Sequence, residues 1–213
     1  MEVAGRLDRL RASLGAEECD ALVVTSTTNI GYLTGFGGSS GLLWVDDVRA
    51  VLVTDGRYGE QAPEELRHAG VEAEVEITGS DQNSVLARLA RGIPRIGLEA
   101  RTVVWGTQRR LAAALGGAQV VPTDGLVEVL REVKDEGELA RIQAAAAIAD
   151  LALASVWPML DREPTELEVA AAIDDSMRCR GATDRAFPTI VAAGPNSARP
   201  HARPGGRSLR RGD

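Results

Sequence analysis

An α/β protein, built on a mixed sheet covered by helices and continuing into a second, mainly helical segment, is what these 213 residues predict. Three observations carry that expectation. Short apolar runs of strand length alternate with stretches of helical periodicity through most of the chain. Two of those runs are joined by a tight acidic turn and the others by whole helices, so the sheet needs both hairpin and crossover connections. Beyond Asp124 helical patterns opened by capping signatures take over, with one further strand signal near the end.

In order, Val3, Leu7, Leu10 and Leu14 form one stripe of an amphipathic helix ended by Gly15. Ala21–Thr25 is an apolar run suited to a buried strand. Thr28–Gly41 carries so much glycine that it reads as a loop, with at most one helical turn around Tyr32. Leu42–Val45 and Ala50–Thr54, separated by Asp46-Asp47-Val48-Arg49, make a hairpin. Glu60–Ala69 is helical, Val71–Ile77 a half-exposed strand, and Ser84–Ala90 helical again. Arg95–Glu99 is a strand, Val103–Leu115 a helix closed by Gly116-Gly117, and Ala118–Val121 a strand stopped at Pro122.

The second segment opens with a helix at Leu126–Lys134. Asp135 and Glu138 have capping-box spacing for a helix running to about Val156, which Pro158 ends. Thr165 and Glu168 repeat the signature for a helix that Gly181 terminates. Thr189–Ala193 reads as one more short strand, stopped by Gly194-Pro195-Asn196. These changes place a boundary near residue 130, dividing the chain into 1–130 and 131–213. One strand and two helices are few for a closed core, so the second part is expected to be the start of a larger domain.

Composition narrows the function classes. Lys and Arg number 24 against 31 acids, a net charge of −7, which argues against nucleic acid as a partner. Cys19 and Cys179 form no CxxC pair, so neither a disulfide framework nor a thiolate zinc site is expected. The charged first residues do not make a signal peptide, and no run is expected to span a membrane, so the cytoplasm is the expected location. His68 sits where a helix dipole favours it, and an adhesion reading of Arg211-Gly212-Asp213 finds no support elsewhere in the chain.

Two places could carry chemistry. Pro200 and Pro204 stiffen the backbone around His201, holding an imidazole on a low-entropy loop. Its alternative is a solvent-facing histidine in a connector. In Thr54-Asp55-Gly56-Arg57-Tyr58, the Asp-Gly turn sets Arg57 and Tyr58 at a strand end, where ligands bind, although turn chemistry alone also accounts for the residues. The Gly35, Gly37 and Gly38 loop lacks the following Lys-Ser/Thr of a phosphate loop, and Ser40 stands where a dinucleotide fingerprint needs glycine.

The motifs NIGYLTGF, TDGRY, LREVKDEGEL, TIVAAGPNSARPHARP and LRRGD, in that order from Asn29 to Asp213, resemble the creatinase/prolidase superfamily, nearest to bacterial Xaa-Pro aminopeptidases and dipeptidases. The resemblance implies a creatinase-type N-terminal mixed-sheet domain and then the incomplete start of a pita-bread α+β catalytic domain. It implies a hydrolase cleaving between an N-terminal residue and proline, with a proline-containing peptide as substrate and a homodimer as the assembly. By the same resemblance His201 is a catalytic and substrate-binding residue beside two divalent ions, manganese, cobalt or zinc, without ligating them. Arg57 and Tyr58 would bind substrate, reaching a neighbour's site. The family's metal ligands would all follow Asp213, so no metal ligand and no cofactor are expected among these residues, and the fragment alone is expected to be inactive. Gly31 stands where the family often has arginine, which removes a cation from that loop. Two alternatives remain open: a non-catalytic creatinase-like dimerisation or protein-binding module, and a metal-independent amidinohydrolase of creatinase type.

Overall fold

The computed structural model describes residues 2–79 and 81–213. The chain divides into two compact units, residues 1–135 and 136–213.

The first unit is a six-stranded mixed sheet. Its strands are β1 (Ala21–Val24), β2 (Leu42–Asp46), β3 (Ala50–Asp55), β4 (Glu74–Thr78), β5 (Arg95–Glu99) and β6 (Gln119–Thr123), in the order β4-β3-β2-β1-β5-β6. β2 pairs antiparallel with both β1 and β3, whereas β1–β5, β3–β4 and β5–β6 are parallel. Each parallel pair has at least one helix between its partners, as crossover geometry requires, whereas the antiparallel β2–β3 pair is a tight hairpin and β1–β2 is joined through a helix and a glycine-rich loop.

Strand alternation builds two cores. Leu22, Val24, Leu43, Val45 and Leu52 face one side, where α1 (Arg6–Leu14), α2 (Thr27–Thr34) and α3 (Gln61–Ala69) bring Leu7, Leu10, Leu33 and Leu66. Ala21, Val23, Trp44, Val51 and Val53 face the other, where α4 (Gln82–Leu89) and α5 (Trp105–Ala114) bring Leu86, Leu89 and Leu111. Each fully buried leucine contributes about 1.5–3 kcal/mol relative to exposure, so it is this two-sided burial that holds the sheet. Gly97 sits where β5 is closely packed, since a Cβ there would meet Thr123 at 2.8 Å and Leu22 at 2.9 Å. The hairpin turn is fixed by Asp46, whose carboxylate accepts from the Val48 and Arg49 amides and from the buried Trp44 indole at 2.8 Å. α6 (Leu126–Glu132) closes the unit.

Two expectations for this unit are corrected. Thr28–Gly41 is not a loop throughout, because α2 occupies Thr27–Thr34. Ser26 caps it by accepting from the Asn29 amide, Ile30 and Leu33 bury against the sheet, and only Gly35–Gly41 remains irregular. Apolar spacing outweighed one helical glycine. The strand expected over Val71–Ile77 begins later, at Glu74.

The second unit consists of α7 (Glu136–Val156), α8 (Glu166–Cys179) and a long irregular segment broken by a 3-10 turn at Gly194–Ala198. α8 begins with the capping box the sequence predicts: Thr165 accepts from the Glu168 amide, and the Glu168 carboxylate accepts from the Thr165 amide. Thr189–Ala193 is not a strand, because no neighbouring strand is there to pair with it among the described residues. The Ala193 amide donates instead to the Glu166 carboxylate, 2.8 Å away.

A further correction concerns α7. The run Glu136–Arg162 is long and apolar enough to cross a membrane by length and composition, contrary to the expectation that no run is. Its alanines raise the apolar count alongside Leu139, Ile142, Ile148, Leu151 and Leu153. Asp150 near its middle would cost a bilayer about 2.5–3.5 kcal/mol. Ala152 and Val156 are its buried residues, while Leu139, Ile142, Leu151 and Leu153 are exposed.

Candidate functional site

In the second unit the site grows from the start of α8. Glu166 is inaccessible to solvent, and a buried carboxylate persists only with donors around it. Three supply that need: the Ala193 amide at 2.8 Å, the Asn196 carboxamide at 2.9 Å and the Gly205 amide at 3.0 Å. The Asn196 bond, with the Ala193 and Gly205 amides behind it, holds the Glu166 carboxyl below the usual carboxylate range. The otherwise orphaned amides of Glu166 and Leu167 donate to the carbonyls of Arg207 and Gly205, so the returning chain satisfies the helix start. Both arms of the irregular segment are thus pinned to one residue, and the loop between them carries His201.

That loop and α8 enclose a cavity of about 900 Å³. Leu167, Ala170 and Ala171 of α8 form one wall, Phe187–Ile190 another, and Pro200–Pro204 a third. His201 lies in the third wall, exposed, between the two prolines, and the turn is closed by the Ala202 amide donating to the Arg199 carbonyl at 3.2 Å. Asp174 lies beneath the second wall and holds it: its carboxylate accepts from Arg185 Nη1 at 3.0 Å and from the Thr189 hydroxyl. A neutral or charged imidazole facing a mostly apolar hollow is equipped to orient a ligand's polar group and to pass a proton.

Arg57 and Tyr58 belong to the first unit. They follow β3 in a 3-10 turn, Gly56–Tyr58, at the strand end where the sequence places them. Arg57 makes a fork with Asp55 through Nε at 2.9 Å and Nη2 at 2.8 Å. That guanidinium holds the Asp55 carboxyl at about 2, and the Asp55 carboxylate raises Arg57 in turn. The Tyr58 hydroxyl accepts from the Ser39 amide at 3.1 Å and lies 2.8 Å from the Ser39 hydroxyl, bonds that hold the phenol below its ordinary range. The glycine loop is therefore pinned to the turn. Phe36 packs edge-on against Tyr58 at 5.4 Å, and a Cβ at Gly38 would run into the Phe36 ring. The structure joins Arg57 and Tyr58 to Asp55, Ser39 and Phe36, and gives His201 an unrelated set of neighbours in its own unit.

Glu166, Asp174 and Arg185 were not identified from the sequence. Glu166 follows the capping threonine directly, but its donors come from positions 27 to 39 residues later, a separation no local pattern reports. Asp174 and Arg185 were hidden for the same reason. Among the described residues no group of three or more His, Cys, Asp or Glu is placed to share a metal ion. The described side chains do not by themselves make a two-metal centre.

Residues 6–133 match the creatinase/prolidase N-terminal domain, and residues 140–213 match metallopeptidase family M24. An uncharacterized peptidase of Bacillus subtilis is 34% identical over 209 residues, covering 98% of this chain and 58% of its own length. The solved Xaa-Pro dipeptidase from Bacillus anthracis superposes with a TM-score of 0.86 at 28% identity, over 97% of this chain and 57% of that one. The X-Pro aminopeptidase from Thermotoga maritima gives 0.82 at 31%, over 96% and 58%. The chain thus spans less than two thirds of the length of these relatives. With a mixed sheet of the matching extent followed by the α7–α8 unit, the chain belongs to the creatinase/prolidase family, joining its N-terminal domain to residues of metallopeptidase family M24.

Proposed function

We propose that these residues are the substrate-side part of a metal-dependent Xaa-Pro peptidase, a hydrolase that releases an N-terminal residue from the proline that follows it. The observation that carries the reading is His201 in the wall of a cavity otherwise lined largely by apolar side chains and by proline rings. An Xaa-Pro bond is a tertiary amide without an N–H, so a peptidase that recognises the scissile N–H has no handle on it. An apolar hollow grips the pyrrolidine ring by shape, and the imidazole orients the adjoining carbonyl and shuttles a proton. Two divalent ions, manganese, cobalt or zinc, would supply the activated water when bound, held by residues outside these 213 positions. The 213-residue chain by itself is inactive in this reading. The working enzyme is a cytoplasmic homodimer with Arg57 and Tyr58 turned toward a substrate.

Expression of the whole reading frame that carries these codons tests this. Purified with manganese, it releases the first residue of Ala-Pro peptides and spares Ala-Ala peptides. H201A lowers kcat/KM by about 10²–10⁴, the range of a lost acid–base group, without changing metal content. Equal hydrolysis of both peptides, or an H201A variant at full rate, overturns the reading. Stable capture of a protein partner without hydrolysis would favour the non-catalytic module.

A further inference from the structure

Glu166 divides its two oxygens between the arms that flank the His201 loop. Oε1 accepts from the Ala193 amide at 2.8 Å and from the Asn196 carboxamide at 2.9 Å, both on the arm that leads into the loop. Oε2 accepts from the Gly205 amide at 3.0 Å, on the arm that leads out. One planar group with no solvent access therefore sets the span between residues 193–196 and residue 205. The loop between them has little else to direct it. Pro200 and Pro204 have no N–H, the Ala202 amide bonds back to Arg199 inside the loop, and among the described residues no hydrogen bond reaches the His201 ring. Ala202 is buried, but a methyl group fixes a distance and not a direction.

We propose that Glu166 is the positioning residue of His201: its carboxylate holds both arms at once, and the spacing it imposes sets where the imidazole stands in the cavity wall. This rests on His201 acting on a substrate there, and it deepens that reading by naming the group that gives the imidazole its place. Glutamine at this position cannot do the same. Whichever way its side chain turns, the NH2 end confronts the backbone amide of one arm, donor against donor, and that arm is released.

A double-mutant cycle in the protein made from the whole reading frame tests the proposal. E166Q lowers kcat on Ala-Pro peptides by about 10–100-fold and moves KM by less than about threefold, the cost of an imidazole displaced by up to about 1 Å. In the H201A background E166Q costs under about twofold, because the group it positions is gone. A loss through general misfolding would instead repeat in both backgrounds. Amide hydrogen exchange gives a readout free of catalysis: in E166Q the Ala193 or the Gly205 amide exchanges faster by about tenfold or more, while the amides of β1 and β3 keep their protection. N196A removes one of the two Oε1 bonds and leaves both backbone donors. It lowers kcat by about 3–10-fold through the same cycle, and it decides the matter should E166Q not fold. E166Q at full rate, an equal loss with and without His201, or Ala193 and Gly205 amides as protected in E166Q as in the wild type overturns the proposal. Xaa-Pro cleavage with an additive cycle sinks this inference alone. Amides released by E166Q in a protein whose wild type cleaves no Xaa-Pro peptide sink the peptidase reading and leave the clamp standing.

Discussion

Asn29 opens the NIGYLTGF motif, and its buried carboxamide makes three bonds. Nδ2 donates to Glu99 Oε1 and to Glu128 Oε1, each at 2.7 Å, while Oδ1 accepts from Arg131 Nη1 at 2.9 Å. One amide thereby separates two carboxylates and ties α2, β5 and α6 together. In N29A the half-buried Glu128 and Arg131 regain water at small cost, but Glu99, only 6% exposed, is left with an unsatisfied oxygen. That loss, with a small void, amounts to about 2–4 kcal/mol. N29D sets an ionised oxygen where the amide donor was, against Glu99. Like charges about 3.5 Å apart repel by about 4–5 kcal/mol at an effective dielectric of ~20, partly offset by Arg131. N29D is therefore expected to cost about 4–6 kcal/mol at neutral pH, a large share of a typical total of about 5–15. The sign of its pH dependence follows. An aspartate at this position has a folded pKa above its unfolded value, so its destabilisation is present at neutral pH and fades as pH falls toward about 4. Urea unfolding of W105F/W157F chains, followed by fluorescence of the buried Trp44, measures all three proteins. The reasoning is refuted if N29D is no less stable than N29A at pH 7, or if N29A costs under about 1 kcal/mol.

Three other outcomes are expected. G38A forces the Phe36 ring aside and lowers stability by about 1–3 kcal/mol, read as a drop in melting temperature, with the loss relieved by F36A in the same chain. Because Glu166 has a lowered folded pKa, its contribution is present above the ordinary carboxylate pKa of about 4.3 and is lost as pH falls through the folded value. Trp157 fluorescence should therefore report loosening of the second unit in acid, and E166Q should flatten that profile. R57A frees Asp55, whose carboxyl should move from about 2 toward the ordinary ~3.9, followed by carbon NMR through a pH titration.

Much of the sheet was legible because its strands bury both faces. Ala21–Val24 and Ala50–Val53 read as unbroken apolar runs, and the helices after β3 and β5 implied the parallel β3–β4 and β5–β6 crossovers. The α2 helix was obscured by Gly31 and the glycines after it, although Ile30 and Leu33 carried the spacing. Thr189–Ala193 was misread because β-propensity describes a pleated surface awaiting a partner, and here the partner is a carboxylate. Of the candidate site, the proline-bracketed His201 and the strand-end Arg57 and Tyr58 could be picked out locally. The residues that hold the loop could not, since Glu166 collects donors from two distant arms and Asn29 reaches partners 70 and 99 positions away. α7 was underestimated for a different reason: its alanines read as a good helix former, and their apolar weight was not added to that of Leu139, Ile142, Leu151 and Leu153 on the same helix.

Arg6 is almost wholly buried, stacked 3.9 Å over the Tyr32 ring and joined to Asp135 at 2.5 Å. This ion pair brings the first helix of the sheet unit beside that unit's final residue, so entry and exit of the polypeptide share one corner. A short bridge of about four or five extended residues is enough to close the ring. Fresh termini could then be cut at the exposed Asp47-Val48 turn without disturbing a ladder. The sheet unit is in this respect a cassette, which an unrelated host chain could carry as an insertion at a single surface position.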